Sequence, residues 1–125
     1  MQKVKPVVYM ASPYTHGDAA INTHFQCQMF HSMLDDGIVI PLTPHLLTFS
    51  SIFQPRSWDE WLEYDKGLLR VVDGILRLNA EYAPLGYKIT ESKGADEECA
   101  YMIGQNKPVF YNKQDLYEWA VTFNG

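Results

Sequence analysis

Short apolar runs separated by stretches of helical length constrain this chain more than any single motif. Val7–Ala11 is suited to a buried strand, and residues 38–42, 75–78 and 108–111 read as the strands that follow it. Between them lie helices with recognisable ends. Asp18 is a good N-cap for a helix ending near Asp36, with Gly37 as its terminal glycine. Ser57 caps a second helix running to about Val72. The polar turn Ser92, Lys93, Gly94 opens a third, which runs to about Gln105, and the last spans about 114–123. Strands that alternate with helices predict an α/β fold, a single-domain Rossmann-like parallel sheet sandwiched by helices and spanning residues 1–125. In such a sheet ligands bind at the carboxyl ends of the strands, so the loops after Ala11, Leu42 and Leu78 should gather at one edge. Residues 43–56 and 79–91 read as long loops. The first holds two prolines and the apolar Leu46, Leu47, Phe49, Ile52 and Phe53, which marks it as functional or partner-facing.

Charge and cysteine usage narrow the function classes. Ten basic against 15 acidic residues give a net charge of −5, and Lys and Arg form no stripe, which argues against a nucleic-acid partner. No apolar run approaches the roughly 20 residues that span a bilayer, so no membrane partner is expected. Cys27 and Cys99 form no short-range motif and the N-terminal residues show no leader pattern, which predicts a cytoplasmic, disulfide-free protein. Metal binding is not expected: His24 and His31 stand two helical turns apart, about 10 Å by helix rise, and His16 and His45 lie in separate loops.

Two carboxylates stand out against this background. Helical residues advance by about 100° each, which groups Ala95, Cys99, Met102 and Ile103 on one apolar arc. Glu98 falls at the edge of that arc, whereas Glu97 lies away from it and reads as solvated. In the preceding helix Trp58, Trp61, Leu62, Leu68, Leu69 and Val72 share one face, and Asp65 sits in its middle. An unpaired inward carboxylate is costly, so Asp65 needs a hydrogen-bond partner, a ligand or a raised pKa. Two such groups on different helices are the equipment of glycosidic bond cleavage, one ionised to attack or stabilise the sugar cation and the other to manage a proton. Retaining chemistry places such a pair about 5 Å apart.

Other candidates surround the pair. Ser12, Tyr14, Thr15 and Gly17 form either an ordinary turn or a cradle for phosphate or ribose, and Ser92 with Gly94 offers the same choice at a second helix start. Tyr9 alternates within a buried strand, either as core or with its hydroxyl directed at the nucleophile. Asn22, beside the Ile21, Phe25 and Met29 stripe, and His45, after Pro44, complete the set of substrate-binding candidates.

The stretch Val8-Tyr9-Met10-Ala11-Ser12-Pro13-Tyr14, Asp65 with Asp73, Ser92-x-Gly94-x-x-x-Glu98 and Lys107-Pro108-Val109 together resemble the nucleoside 2-deoxyribosyltransferase-like superfamily. The resemblance covers nearly the whole chain in order. It implies a parallel α/β sandwich assembled as a homodimer or higher oligomer, with Glu98 as the nucleophile and Asp65 contacting sugar or base. The classical transferases carry an aspartate where this chain has Ser92. A serine there looks like the nucleoside 5'-monophosphate N-glycosidases, in which it helps hold the phosphate, and Ser12 matches a serine of their first phosphate loop. That loop also holds an arginine in the best-known glycosidases, and residues 13–18 contain none. The resemblance thus implies a cofactor-free N-glycosidase acting on a (deoxy)nucleoside 5'-monophosphate, with catalytic Glu98, Asp65 and Tyr9. The alternatives are a deoxyribosyltransferase that exchanges bases and a non-catalytic nucleotide-binding or regulatory module.

Overall fold

The computed structural model describes residues 4–13, 18–78 and 92–125. Four strands, β1 (Val7–Ala11), β2 (Ile40–Leu42), β3 (Gly74–Arg77) and β4 (Val109–Phe110), form one sheet in the order β2-β1-β3-β4. Every pairing is parallel, with Tyr9 beside Leu42 on one side and Ile75 on the other. The chain places β2 on one flank of β1 and then returns to place β3 on the opposite flank. The carboxyl ends of β1 and β3 therefore border the switch point at which α/β sheets open a crevice.

The helices are α1 (Ala19–Asp36), α2 (Pro44–Phe49), α3 (Trp58–Val71), α4 (Lys93–Gly104) and α5 (Lys113–Ala120). Asp18 Oδ1 accepts from the amides of Ala20 and Ile21 at 2.9 and 3.1 Å, which starts α1. Gly37, at φ 67°, ends it in the left-handed conformation that glycine adopts without steric cost. A reciprocal Ser57 and Glu60 capping box starts α3, and Ser92 Oγ accepts from Ala95 N at 3.0 Å to start α4. Lys107 Nζ donates to the carbonyls of Leu69 and Arg70 at 3.0 and 2.7 Å, closing the far end of α3.

Strand alternation divides the core in two. Val8, Met10 and Leu76 face α1 and α5, where Met29, Met33, Leu116 and Ala120 bury against them. Tyr9, Ala11 and Ile75 face α3 and α4, meeting Leu69, Val72, Ala95, Cys99 and Met102.

Several expectations need correction. Residues 43–56 are not a loop throughout: Pro44, whose fixed φ suits a first helical position, opens α2, and a 3₁₀ turn at Ser50–Ile52 follows. Strand 38–42 shortens to Ile40–Leu42, because the turn at Gly37 is not yet in register with β1. Strand 75–78 begins one residue earlier, at Gly74, and 108–111 shrinks to two residues. The last helix runs from Lys113 to Ala120, since Asn112 provides the cap. Trp58 is not buried but 64% exposed, because only the later turns of α3, at Leu69 and Val72, press on the sheet. Ile103 is also exposed: it lies about 80° round α4 from Ala95, on the edge that faces away from β3.

Candidate active site

Tyr9 is the residue around which the site is built. Its place in β1 points the ring at α4, and its hydroxyl donates a hydrogen bond to Glu98 Oε2. Burial, followed by the charges of Glu98 and Asp65, raises the phenol well above its usual pKa, so near neutral pH it keeps its proton and donates. On α4, Glu98 lies on the edge of the packed stripe opposite Ile103, which turns it toward the cavity rather than the sheet or bulk water.

Burial pushes Glu98 up to about 8, aided by the charges of Asp65 and Glu97 and opposed by the Tyr9 hydrogen bond and the charge of Arg77. Burial likewise pushes Asp65 up to about 6. Asp65 Oδ1 is enclosed and has no hydrogen-bond partner among the described residues. An enclosed carboxylate oxygen without a donor is the arrangement that a ligand hydroxyl or a proton resolves. Glu97 is exposed and lies 3.9 Å from Lys93 Nζ.

Both carboxylates open onto one cavity of about 710 Å³, a volume in the range of small-molecule sites. Its floor is Tyr9 and Ser12, one wall is the start of α4 from Ser92 to Ala95, and the other is α3 with Trp58, Trp61 and Leu62. Trp61 is fixed by its indole N–H, which donates to Ser51 Oγ at 3.0 Å. A Cβ added at Gly94 would meet nothing nearer than Ser92 Oγ at 3.9 Å, so this glycine leaves open space beside the helix start.

Gln26, fully buried on α1, joins the two loops beneath the cavity. Its Nε2 donates to Met10 O at 3.2 Å and Ser12 Oγ at 3.0 Å, and its Oε1 accepts from His45 N at 3.1 Å and from the Thr43 hydroxyl. His45 Nε2 lies 3.0 Å from Ser12 O. A carbonyl only accepts, so that nitrogen carries the hydrogen. Burial lowers His45 to about 4, which keeps the ring neutral near pH 7. The Ser12 and Ser92 oxygens both accept protein hydrogen bonds, so each hydroxyl presents its hydrogen as a donor, the polarity an anion needs.

Of the residues expected from sequence, Tyr9, Ser12, His45, Asp65, Ser92, Gly94 and Glu98 all line this cavity. Asn22 does not: it is buried in the first turns of α1, behind the lining, where its backbone meets the ring of His45. Tyr14, Thr15 and Gly17 lie outside the described residues. Asp73, part of the resemblance, sits at the opposite end of β3, where its carboxylate accepts from Val7 N at 2.8 Å.

No protein-family model and no curated protein matches this chain.

Four contributors escaped sequence reasoning. Arg56, just before α3, lines the cavity with its guanidinium 3.1 Å from Glu60 and brings a cation that the first loop lacks. Trp58 lines the cavity rather than the core. Gln26 was signalled by its position: Asn22, Gln26, Met29 and Met33 form the buried stripe of α1. Arg77 was signalled by a charge inside an otherwise apolar strand. Among the described residues there is no cluster of three or more His, Cys, Asp or Glu side chains able to hold a metal ion, and no helix long and apolar enough to cross a membrane.

Proposed function

We propose that this protein is an N-glycosidase that cleaves the base–sugar bond of a (deoxy)nucleoside 5'-monophosphate through a covalent glycosyl-Glu98 intermediate. The observation that carries the proposal is the carboxylate pair. Glu98 and Asp65 come from different helices, open on one cavity, and have unlike surroundings: Glu98 receives the Tyr9 hydroxyl and Asp65 Oδ1 receives none. Carboxyls held in one site do not both ionise freely, so between about 6 and about 8 the free site carries one proton, held on Glu98, and one negative charge, on Asp65. A retaining glycosidase uses that state.

In the first step ionised Asp65 takes up the Glu98 proton as the substrate binds, and Glu98, then the anion, attacks the anomeric carbon. The C1'–N bond breaks, its electron pair leaves with the base, and protonated Asp65 supplies the proton that the base takes up. In the second step Asp65 accepts a proton from water, whose oxygen attacks the anomeric carbon and releases Glu98. Tyr9 holds the attacking carboxylate in place. Ser12, Ser92 and the free amides at the start of α4 offer donors to a phosphate, with Arg56 and Lys93 also on the cavity. The Trp58 and Trp61 walls offer an apolar surface to the base.

The test is a panel of nucleosides and 5'-monophosphates incubated with the protein, with and without a free acceptor base, and resolved chromatographically. Release of free base from a monophosphate without acceptor is the expected outcome. Exchange that requires the acceptor would make the protein a deoxyribosyltransferase, and binding without turnover would leave only a nucleotide-binding module.

A further inference from the structure

We infer that Gln26 is the positioning residue that makes Ser12 a hydrogen-bond donor to the substrate phosphate and so favours a monophosphate over a nucleoside, an inference that rests on the glycosidase reading in which the phosphate meets Ser12. Gln26 is fully buried on α1, behind the cavity rather than on its lining. Its amide has four bonding positions, two hydrogens on Nε2 and two lone pairs on Oε1, and all four are filled. Nε2 donates to Met10 O at 3.2 Å and Ser12 Oγ at 3.0 Å, while Oε1 accepts from His45 N at 3.1 Å and from the Thr43 hydroxyl. Two of these partners are backbone groups of fixed polarity. Met10 O only accepts and His45 N–H only donates, so the amide has one satisfied orientation, with its nitrogen toward Ser12.

That orientation passes to Ser12. Facing an N–H, the Ser12 oxygen must accept, and its own hydrogen is left for the cavity that Ser12 lines. Among the described residues the hydroxyl donates to no protein group. The Ser12 carbonyl is engaged as well, by His45 Nε2 at 3.0 Å, and the next residue, Pro13, has no N–H to add. A Ser12 hydroxyl set against an amide oxygen would instead spend its hydrogen on the protein and turn its lone pairs toward a phosphate. The buried backbone partners of Gln26 thus fix the polarity of a cavity group before any substrate arrives, and a fully satisfied buried network holds it there at no cost in charge.

The experiment measures binding of 2-deoxyribose 5-phosphate by calorimetry to wild type, Ser12→Ala, Gln26→Glu and the double variant. A carboxyl in place of the buried amide keeps its proton, and the arrangement that satisfies its partners puts that O–H on Met10 O and draws the Ser12 hydrogen inward. Ser12→Ala and Gln26→Glu should each weaken binding about tenfold or more, and the double variant should bind no more weakly than Ser12→Ala alone. In wild type the Gln26 side-chain hydrogen that meets Ser12 should move downfield by NMR when the sugar phosphate binds, because a hydroxyl that donates becomes a stronger acceptor; the hydrogen on Met10 O should move less. No binding by wild type, an affinity unchanged in either single variant, or losses that add in the double variant would overturn the inference. Should Gln26→Glu fail to fold, an unmoved Gln26 hydrogen in wild type overturns it equally. Absence of base release by the wild type is a separate failure, belonging to the glycosidase reading, and sugar-phosphate binding is measured regardless of it.

Discussion

β1 turns Val8 and Met10 toward α1 and α5 and Tyr9 toward α3 and α4, and the two sides it serves differ in kind. Behind Val8 and Met10 the packing is largely apolar, with Met33, Leu76 and Leu116 fully buried, and the buried Gln26 of α1 has its polar atoms satisfied by Met10, Ser12, Thr43 and His45. Behind Tyr9, apolar packing gives way at the strand ends to Glu98, Asp65 and Arg77, all withdrawn from water, with one carboxylate oxygen left without a donor. One side of the sheet holds the fold and the other holds groups that cost stability. Proteins keep such groups where chemistry needs them.

Substitutions on the two sides should therefore separate activity from stability. The largest effect is expected from Glu98→Ala, which removes the proposed nucleophile and should lower base release by at least about a thousandfold, with circular dichroism unchanged; Glu97→Ala should stay within about twofold. Reversed outcomes would move the nucleophile to Glu97. Next comes Met33→Ala on the apolar side. It should cost about 2–4 kcal/mol in urea unfolding while leaving kcat within twofold or so, and a matching fall in kcat would erase the division between the faces.

Tyr9→Phe follows, since a hydrogen bond to a charged group contributes about 1.5–3 kcal/mol. Its loss should slow turnover about 10- to 100-fold and move the acid limb of the pH profile upward, because Glu98 loses a donor that favours its ionised form. The smallest effect concerns stability against pH. Glu98 is raised in the folded protein to about 8, so the native state binds the proton more tightly than the unfolded chain. Its contribution is complete in acid and is lost as pH rises toward about 8. Glu98→Gln should thus leave unfolding nearly unchanged at about pH 4 and stabilise by about 1–2 kcal/mol at about pH 8.5. A stabilisation independent of pH would mean that the carboxylate is not withdrawn from water.

The two sides also differ in how far they were legible in the sequence. Strand order along the chain, the caps at Asp18, Ser57 and Ser92 and the left-handed Gly37 depend on local chemistry, and local chemistry is written in neighbouring residues. Asp65 and Glu98 were visible because helical periodicity exposes an acid on or beside an apolar stripe. Helix α2 was missed because six residues carry too little periodicity to separate a helix from a proline-containing loop. Trp58 was misplaced because periodicity reports which face a residue shares, not whether the neighbouring layer extends that far along the helix. Arg56 reaches the cavity by tertiary contact alone, whereas Gln26 and Arg77 stood out as polar residues within an apolar stripe and strand, with partners that only the assembled sheet shows. Of the motifs that carried the family resemblance, Asp73 and Lys107 serve the fold, tying Val7 and the end of α3, rather than the cavity.

The most direct measurement traps the intermediate. A substrate nucleotide with fluorine at C2' of the sugar makes the developing cation less stable, slowing both formation and hydrolysis of the glycosyl-enzyme, and intact-mass and peptide mass spectrometry then locate any adduct. The expected result is a sugar phosphate attached to the α4 peptide at Glu98, released slowly by water and absent from Glu98→Gln. Base release without any adduct, or an adduct on a residue other than Glu98, would contradict the assignment.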